Sequence, residues 1–160
     1  MLTQDYLMRM FMQLAAAMKE SMLRARGEND PRAAADMLDA TISDATEMDG
    51  GLLLCMAPES MAAMLQLSQP DPQLMEYVSR SLLLSSRYFG EAGDLSTSAL
   101  RRGQAYAVAQ AFGVSLDDNS VSQQELNALF ERSGKAFGKN RGLIDSQAYA
   151  MPQEWNLVTP

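Results

Sequence analysis

Residues 72–112, PQLMEYVSRSLLLSSRYFGEAGDLSTSALRRGQAYAVAQAF, carry the pattern that decides the fold. Before the Gly93-Asp94 pair, apolar or small residues return every three or four positions, at Leu74, Tyr77, Val78, Leu82, Ser85 and Phe89. After that pair, Ser96 can cap a second helix with small and aromatic residues at Ala99, Gly103, Tyr106, Ala109 and Phe112. The spacing predicts two helices joined by a short turn, with Asp71-Pro72 opening the first helix and Gly113 ending the second.

Similar start and stop signals predict two helices before this hairpin. Thr3 is a candidate N-cap for a helix that ends near Arg26-Gly27 and has apolar residues at helical spacing: Leu7, Met10, Phe11, Leu14, Met18 and Met22. Asp30-Pro31 supplies an N-cap and a first-turn proline for the second helix, which Gly50-Gly51 is expected to stop.

The remaining signals predict a brief helix before the hairpin and another helix after it. A short apolar turn from Leu52 to Met56 leads to a helix start at Pro58-Glu59. Ser122 to Glu125 reads as a capping box, and Gly134 is the expected stop of that last helix. The chain lacks sustained strict alternation of apolar and polar residues and has no Asn-Gly or Asp-Gly turn between β-rich runs. We therefore predict an all-α fold of five to six helices in antiparallel hairpins, with one helical domain over 1–134 and an irregular tail over 135–160.

The composition excludes several kinds of chemistry. The chain of 160 residues has no histidine and one cysteine, which removes imidazole bases, His-containing zinc sites and an internal disulfide. Eight acids and only one base, Arg32, lie between Glu28 and Glu59, so this stretch alone accounts for the net charge of −7. Nucleic acid and anionic lipid need clustered bases, so both are disfavoured as partners.

The sequence also indicates where the protein works. No apolar run reaches the roughly 20 residues that a membrane span requires, and the N-terminus does not have the pattern of a secretory signal. We expect a cytoplasmic protein that does not bind a membrane.

The hairpin over residues 74–112 resembles a tetratricopeptide helical hairpin. Phe89 stands four residues before the Gly93-Asp94 turn, and Ala105 occupies a small-residue packing position. Ser86 stands where that family usually has Gly, Ser98 stands where it has Ala, and the closing Pro is absent. The resemblance implies a right-handed stack of hairpins with a concave protein-binding surface.

Two other stretches, over residues 1–114, are similar to an uncharacterised family of small bacterial helical proteins. They are Leu2 to Met10, LTQDYLMRM, and Leu53 to Leu65, LLCMAPESMAAML. This resemblance implies a tetratricopeptide-like architecture, and it brings no reaction, cofactor or functional residue.

Four carboxylates on the second helix are the first candidate site. Taking 100° per residue, Asp36, Asp39, Asp44 and Glu47 fall on one outward face. Because they spread along about three turns, a solvated face is the first interpretation, a basic partner segment the second and a divalent cation the third. Met8 and Met12 lie off the main apolar stripe of the first helix, so they are candidates for an exposed patch or a dimer contact.

Catalytic chemistry finds no support in the remaining motifs. The basic, glycine-rich stretch 132–142 lacks the spacing and the Ser or Thr of a phosphate loop, so we interpret it as a solvated linker. Cys55, inside an apolar run, is expected to be a buried, inert thiol. The sequence has no nucleophilic serine motif either. We expect no enzyme activity, no catalytic residue, no cofactor and no metal site.

Two functions remain open. The first is protein binding, with a partner that has a basic segment or with a second copy of the chain. The alternative is a small-ligand sensor or carrier with an apolar pocket between helices, lined by Tyr77, Tyr88 and Tyr106.

Overall fold

The computed structural model describes residues 4–46 and 50–138, and within them every regular element is helical. The all-α prediction is thus confirmed. A π-helical turn, Leu23–Gly27, follows the first helix, and a 3-10 turn, Asp118–Val121, precedes the last. The α-helices in these ranges are α1 (Gln4–Met22), α2 (Pro31–Thr46), α3 (Gly50–Leu54), α4 (Pro58–Ser68), α5 (Pro72–Glu91), α6 (Leu95–Ala111) and α7 (Gln123–Gly138).

Three predicted helix starts are confirmed by their caps. The Asp71 carboxylate accepts hydrogen bonds from the backbone N–H groups of Gln73 and Leu74, at 2.8 and 3.2 Å. Asp30 accepts from the N–H of Ala33 at 3.1 Å, and Ser122 Oγ accepts from the N–H of Glu125 at 3.2 Å. These side chains pair backbone donors that have no partner inside the helix.

Other predicted boundaries are wrong. Asp94, not Ser96, caps α6, because its carboxylate accepts from the N–H of Thr97 at 3.1 Å. The Gly50-Gly51 pair begins α3, which was predicted as a turn and brings the helices of the described residues to seven. Gly134 does not end α7, which continues to Gly138. Residues 135–138 of the predicted irregular tail are therefore helical, and 139–160 lie outside the described residues, as does Thr3.

The long helix α5 is the centre of the packing. Fourteen of its 20 residues are buried, and it contacts α1, α2 and α6. Contacts between side chains give the helix directions: α5 runs antiparallel to α2, because Ser85 meets Asp39 while Phe89 meets Arg32. The predicted α5–α6 hairpin is observed, and α4 packs against α6.

Two serines join the helices of this hairpin. Ser86 Oγ donates to the backbone carbonyl of Ser98 at 2.6 Å, and Ser98 Oγ donates to the carbonyl of Ser86 at 2.7 Å. A Cβ atom at Gly90 would lie 3.2 Å from Ser98 Oγ, so glycine permits this close approach. The positions that depart from the tetratricopeptide pattern thus form a reciprocal pair of hydrogen bonds between α5 and α6.

Ser81, in the middle of α5, is a polar residue buried in the core. Its side chain is fully buried, and Oγ has no hydrogen-bond partner among the described residues. We expect Ser81→Ala to raise the free energy of unfolding by about 1 kcal/mol, because the hydroxyl is desolvated without compensation and Ala favours a helix.

Urea unfolding followed by circular dichroism measures this change. Ser85→Ala, four residues further along the same helix, is the matched control. Because Ser85 Oγ donates to Asp39 Oδ1 at 2.9 Å, its removal should lower stability. A loss of stability in Ser81→Ala would show that Oγ has a partner.

Candidate functional site

A buried polar network fastens α6 to α2 and to the segment between α3 and α4. Arg101 makes a two-pronged ion pair with Asp39, with Nε–Oδ1 at 3.1 Å and Nη2–Oδ2 at 2.9 Å. Its third nitrogen donates to the backbone carbonyl of Leu54 at 2.8 Å. The Gln104 amide donates to the carbonyls of Leu54 and Met56, both at 2.9 Å. Since these groups find partners within the chain, the network serves to hold the helices together.

The predicted acidic face is divided by this network. Asp36 and Asp44 are exposed, and Asp36 lies 3.4 Å from Nε of Arg32. Asp39 is turned inward, with 17% of its side chain exposed, so its placement on the outward face is wrong. Arg101 supplies the opposite charge and Ser85 a hydrogen bond, which this largely buried carboxylate requires. Glu47 lies outside the described residues.

The two methionine candidates also differ from the prediction. Met8 is 1% exposed, so its interpretation as part of an exposed patch is wrong. The physical reason is that α1 contacts α2, α5 and α7, which cover more of its circumference than one apolar stripe. Met12 is half-buried.

Cys55 is exposed, so the predicted buried thiol is also wrong. The preceding residues Leu53 and Leu54 are the buried part of that apolar run, and Cys55 follows the end of α3.

The three tyrosines do not meet at the cavity that the described residues form. Tyr77 packs edge-on against Phe11, with ring centroids 4.9 Å apart. The Tyr106 hydroxyl donates to Asp118 Oδ1 at 3.2 Å in an exposed contact. Of the three, Tyr88 alone borders the cavity described next, so the expected common lining is not found at this cavity.

This cavity, of about 250 Å³, lies where the end of α1, the second half of α5 and the start of α7 meet. Its apolar lining comes from Met22, Leu84 and Val121. The polar lining consists of Arg26, Arg87, Tyr88 and Gln123. Sequence reasoning missed both arginines, because no local motif brings together two bases that stand on different helical segments.

Two positive charges act on Tyr88 beside this cavity. Burial raises the pKa of the Tyr88 phenol, while a hydrogen bond with Ser21 and the charges of Arg26 and Arg87 lower it and Glu91 opposes them. Both guanidinium groups therefore lie within electrostatic range of the same buried ring.

The basic stretch 132–142, predicted as a solvated linker, begins inside α7. Arg132 Nη2 lies 3.6 Å from Glu76 Oε2, and residues after Gly138 fall outside the described part of the chain. The predicted linker is thus wrong for 132–138.

The outer side of α4 presents apolar side chains to solvent. Met61 and Leu65 are buried on its inner side, whereas Met64 and Leu67 are 36% and 80% exposed, and Ala63 between them is also exposed. These three residues share one side of the helix, and we refer to them as the α4 face. The sequence contains no Lys or Arg between Arg32 and Arg80, so this face lies in a segment without basic residues.

In the part of the chain that the structure describes, we looked for a metal centre and for a membrane span. Among the described residues, no group of three or more His, Cys, Asp or Glu side chains could hold a metal ion. Over those same ranges, no helix has both the length and the apolar character to cross a bilayer. Comparison with family models, with curated proteins and with solved structures finds no match to the chain.

Proposed function

We propose that this chain is a non-catalytic cytoplasmic binding protein that docks a helix of another protein on the α4 face. The observation that carries the proposal is the exposure of Leu67, 80% of which faces solvent beside Met64. Exposed apolar residues grouped on one side of a helix are typical of helix-in-groove and helix-on-helix recognition. The absence of histidine and of a nucleophile–base pair in the sequence supports the non-catalytic part.

The partner we propose is an amphipathic helix whose apolar stripe is flanked by Lys and Arg. Between Arg32 and Arg80 the chain carries acids only, including the exposed Asp36, Asp44 and Glu59. A basic flank would complement this field and speed association, and that contribution weakens with salt.

We also propose a tetratricopeptide-like stack of helices and membership of the uncharacterised bacterial family, and both agree with a role in protein binding. The helix directions support a tetratricopeptide-like stack of α1, α2, α5 and α6, of the kind expected for the uncharacterised bacterial family. In that stack, α3 and α4 would be an insertion that carries the docking face.

Affinity capture with matched variants tests the proposal. Tagged wild-type protein, Leu67→Glu and Leu95→Glu are used to capture proteins from lysate of the native host at low and moderate salt, followed by mass spectrometry. Leu95, at the start of α6, is 72% exposed and lies outside the α4 face, so the control adds the same charge at a similar exposure. We expect a partner that wild type and Leu95→Glu retain and that Leu67→Glu loses.

Direct binding measurements then decide the interpretation. A synthetic peptide of the captured partner's basic amphipathic segment should bind the wild type, and binding should fall in Leu67→Glu and, less strongly, in an Asp36→Lys/Asp44→Lys variant. Asp39 is left unchanged because its ion pair with Arg101 holds the fold. Equal capture by all variants would contradict the proposal. A dimer that Leu67→Glu dissociates would replace it with self-association through the same face.

A further inference from the structure

The cavity between α1, α5 and α7 has a lining with two cations and no carboxylate. Its polar groups are the guanidinium groups of Arg26 and Arg87, the buried phenol of Tyr88 and the amide of Gln123. The chain as a whole carries a net charge of −7, whereas the only ionised groups that line this cavity, the exposed Arg26 and the half-buried Arg87, are positive. Charges of one sign along a cavity with low-dielectric walls raise the local concentration of the opposite ion.

Arg87 donates to a neutral acceptor and forms no ion pair with the described residues. Its Nη2 donates to the backbone carbonyl of Asp118 at 3.1 Å, which is a neutral acceptor. The Asp118 carboxylate instead lies 2.7 Å from Nη1 of Arg102 and accepts from the Tyr106 hydroxyl. Glu91, the acid that acts on Tyr88, is exposed at the end of α5 and does not line the cavity.

Arg26 also has no ion pair with the described residues, unlike Arg24 on the same π-helical turn. Arg24 lies 3.7 Å from Glu20 in an ion pair one turn away. Arg26 has no ion pair with any of the described residues, and it lines the cavity.

We propose that this cavity binds a small organic anion, whose carboxylate or phosphate group is held by Arg26 and Arg87 and whose apolar body lies against Met22, Leu84 and Val121. Paired guanidinium groups suit such anions because they donate several parallel hydrogen bonds to oxygen. The volume of about 250 Å³ lies near the lower end of small-molecule pockets, which selects a compact ligand. This inference goes beyond the proposed protein docking and uses a different set of residues.

Calorimetric titration of the full chain with phenyl phosphate tests the site. Phenol and inorganic phosphate serve as the two halves of this probe, and each should bind more weakly than phenyl phosphate. Arg26→Met and Arg87→Met should each weaken phenyl phosphate binding roughly tenfold or more, because each removes a charge-assisted hydrogen bond. Arg24→Met is the matched control, since it removes the same charge from the same turn without touching the cavity.

The outcomes separate this site from general charge effects and from the proposed function. Circular dichroism and the melting temperature establish that each variant is folded, and Leu67→Glu should bind phenyl phosphate as the wild type does. A wild type that does not bind phenyl phosphate would overturn the proposal. An equal loss in Arg24→Met would also overturn it, because binding would then follow net charge alone.

Discussion

Replacing Arg101 with Met is expected to lower the free energy of unfolding by about 3–5 kcal/mol. The guanidinium of Arg101 is buried and donates hydrogen bonds to both carboxylate oxygens of Asp39. It also donates to the backbone carbonyl of Leu54. Without it, a carboxylate and a backbone carbonyl are left in the interior with fewer partners. Met retains much of the apolar stem of Arg, so the loss reports on charge and hydrogen bonding more than on volume.

The neighbouring residue on α6 supplies the control for this prediction. Arg102→Met removes the same charge, but Arg102 is half exposed and its ion pair with Asp118 lies at the surface, so a much smaller loss is expected. Urea unfolding curves of both variants give the comparison. The double variant Asp39→Leu/Arg101→Met should be more stable than Arg101→Met alone, because it leaves no unpaired charge buried. Similar losses in Arg101→Met and Arg102→Met would mean that the network does not hold α6 to α2.

The helix starts could be predicted from the sequence because each one depends on residues close together in the chain. Asp71 caps α5 through the N–H groups two and three residues later, and Asp30 acts similarly for α2. The preceding aspartate and the following proline are both local signals. The all-α class follows from many such signals, so the misplaced cap at Ser96 did not affect it.

The environments of single side chains could not be predicted, because distant residues determine them. Asp39 falls beside Asp36 on a helical wheel, and only Arg101, 62 residues later, turns it into a buried partner. Met8 likewise lies off the apolar stripe of α1 until α7 and its other neighbours pack around that helix. The spacing of apolar residues predicts which face of a helix packs against one neighbour. A helix with three neighbours buries more than that one face.

The same reason kept the candidate sites out of the sequence interpretation. Arg26, on the π-helical turn after α1, and Arg87, on α5, line one cavity because α1 packs against α5. The α4 face had a visible signal in the spacing of Met64 and Leu67, which stand three residues apart opposite Met61 and Leu65. That spacing alone did not show which side of α4 faces solvent, because this depends on the packing of α4 against α6.

Raising the pH through the ionisation range of tyrosine is expected to destabilise the protein through Tyr77. Burial, followed by the charge of Glu76, raises the pKa of this phenol from 10.0 to about 12, and nearby Arg132 and Arg80 only partly oppose the shift. The unfolded chain therefore releases this proton before the folded chain does. Because the anionic form is disfavoured in the fold, stability is unaffected below pH 10 and falls as the pH rises from 10 toward 12.

The expected loss from this one group is about 2–3 kcal/mol at the upper end of the range. Tyr77→Phe keeps a ring to pack against Phe11 but has no proton to release, so the variant should lose less stability than the wild type between neutral pH and about pH 12. Urea unfolding at several pH values, with phenolate absorbance recorded in parallel, measures the stability and the ionisation of the tyrosines.

The chain has only three lysines, so few other groups change charge in this range besides the tyrosines. The neutral-pH difference between the two proteins serves as the internal control for the lost hydroxyl. If the two stability curves stay parallel up to high pH, Tyr77 ionises as readily in the folded chain as in the unfolded one, and the packing of α5 against α1 is looser than the structure has it.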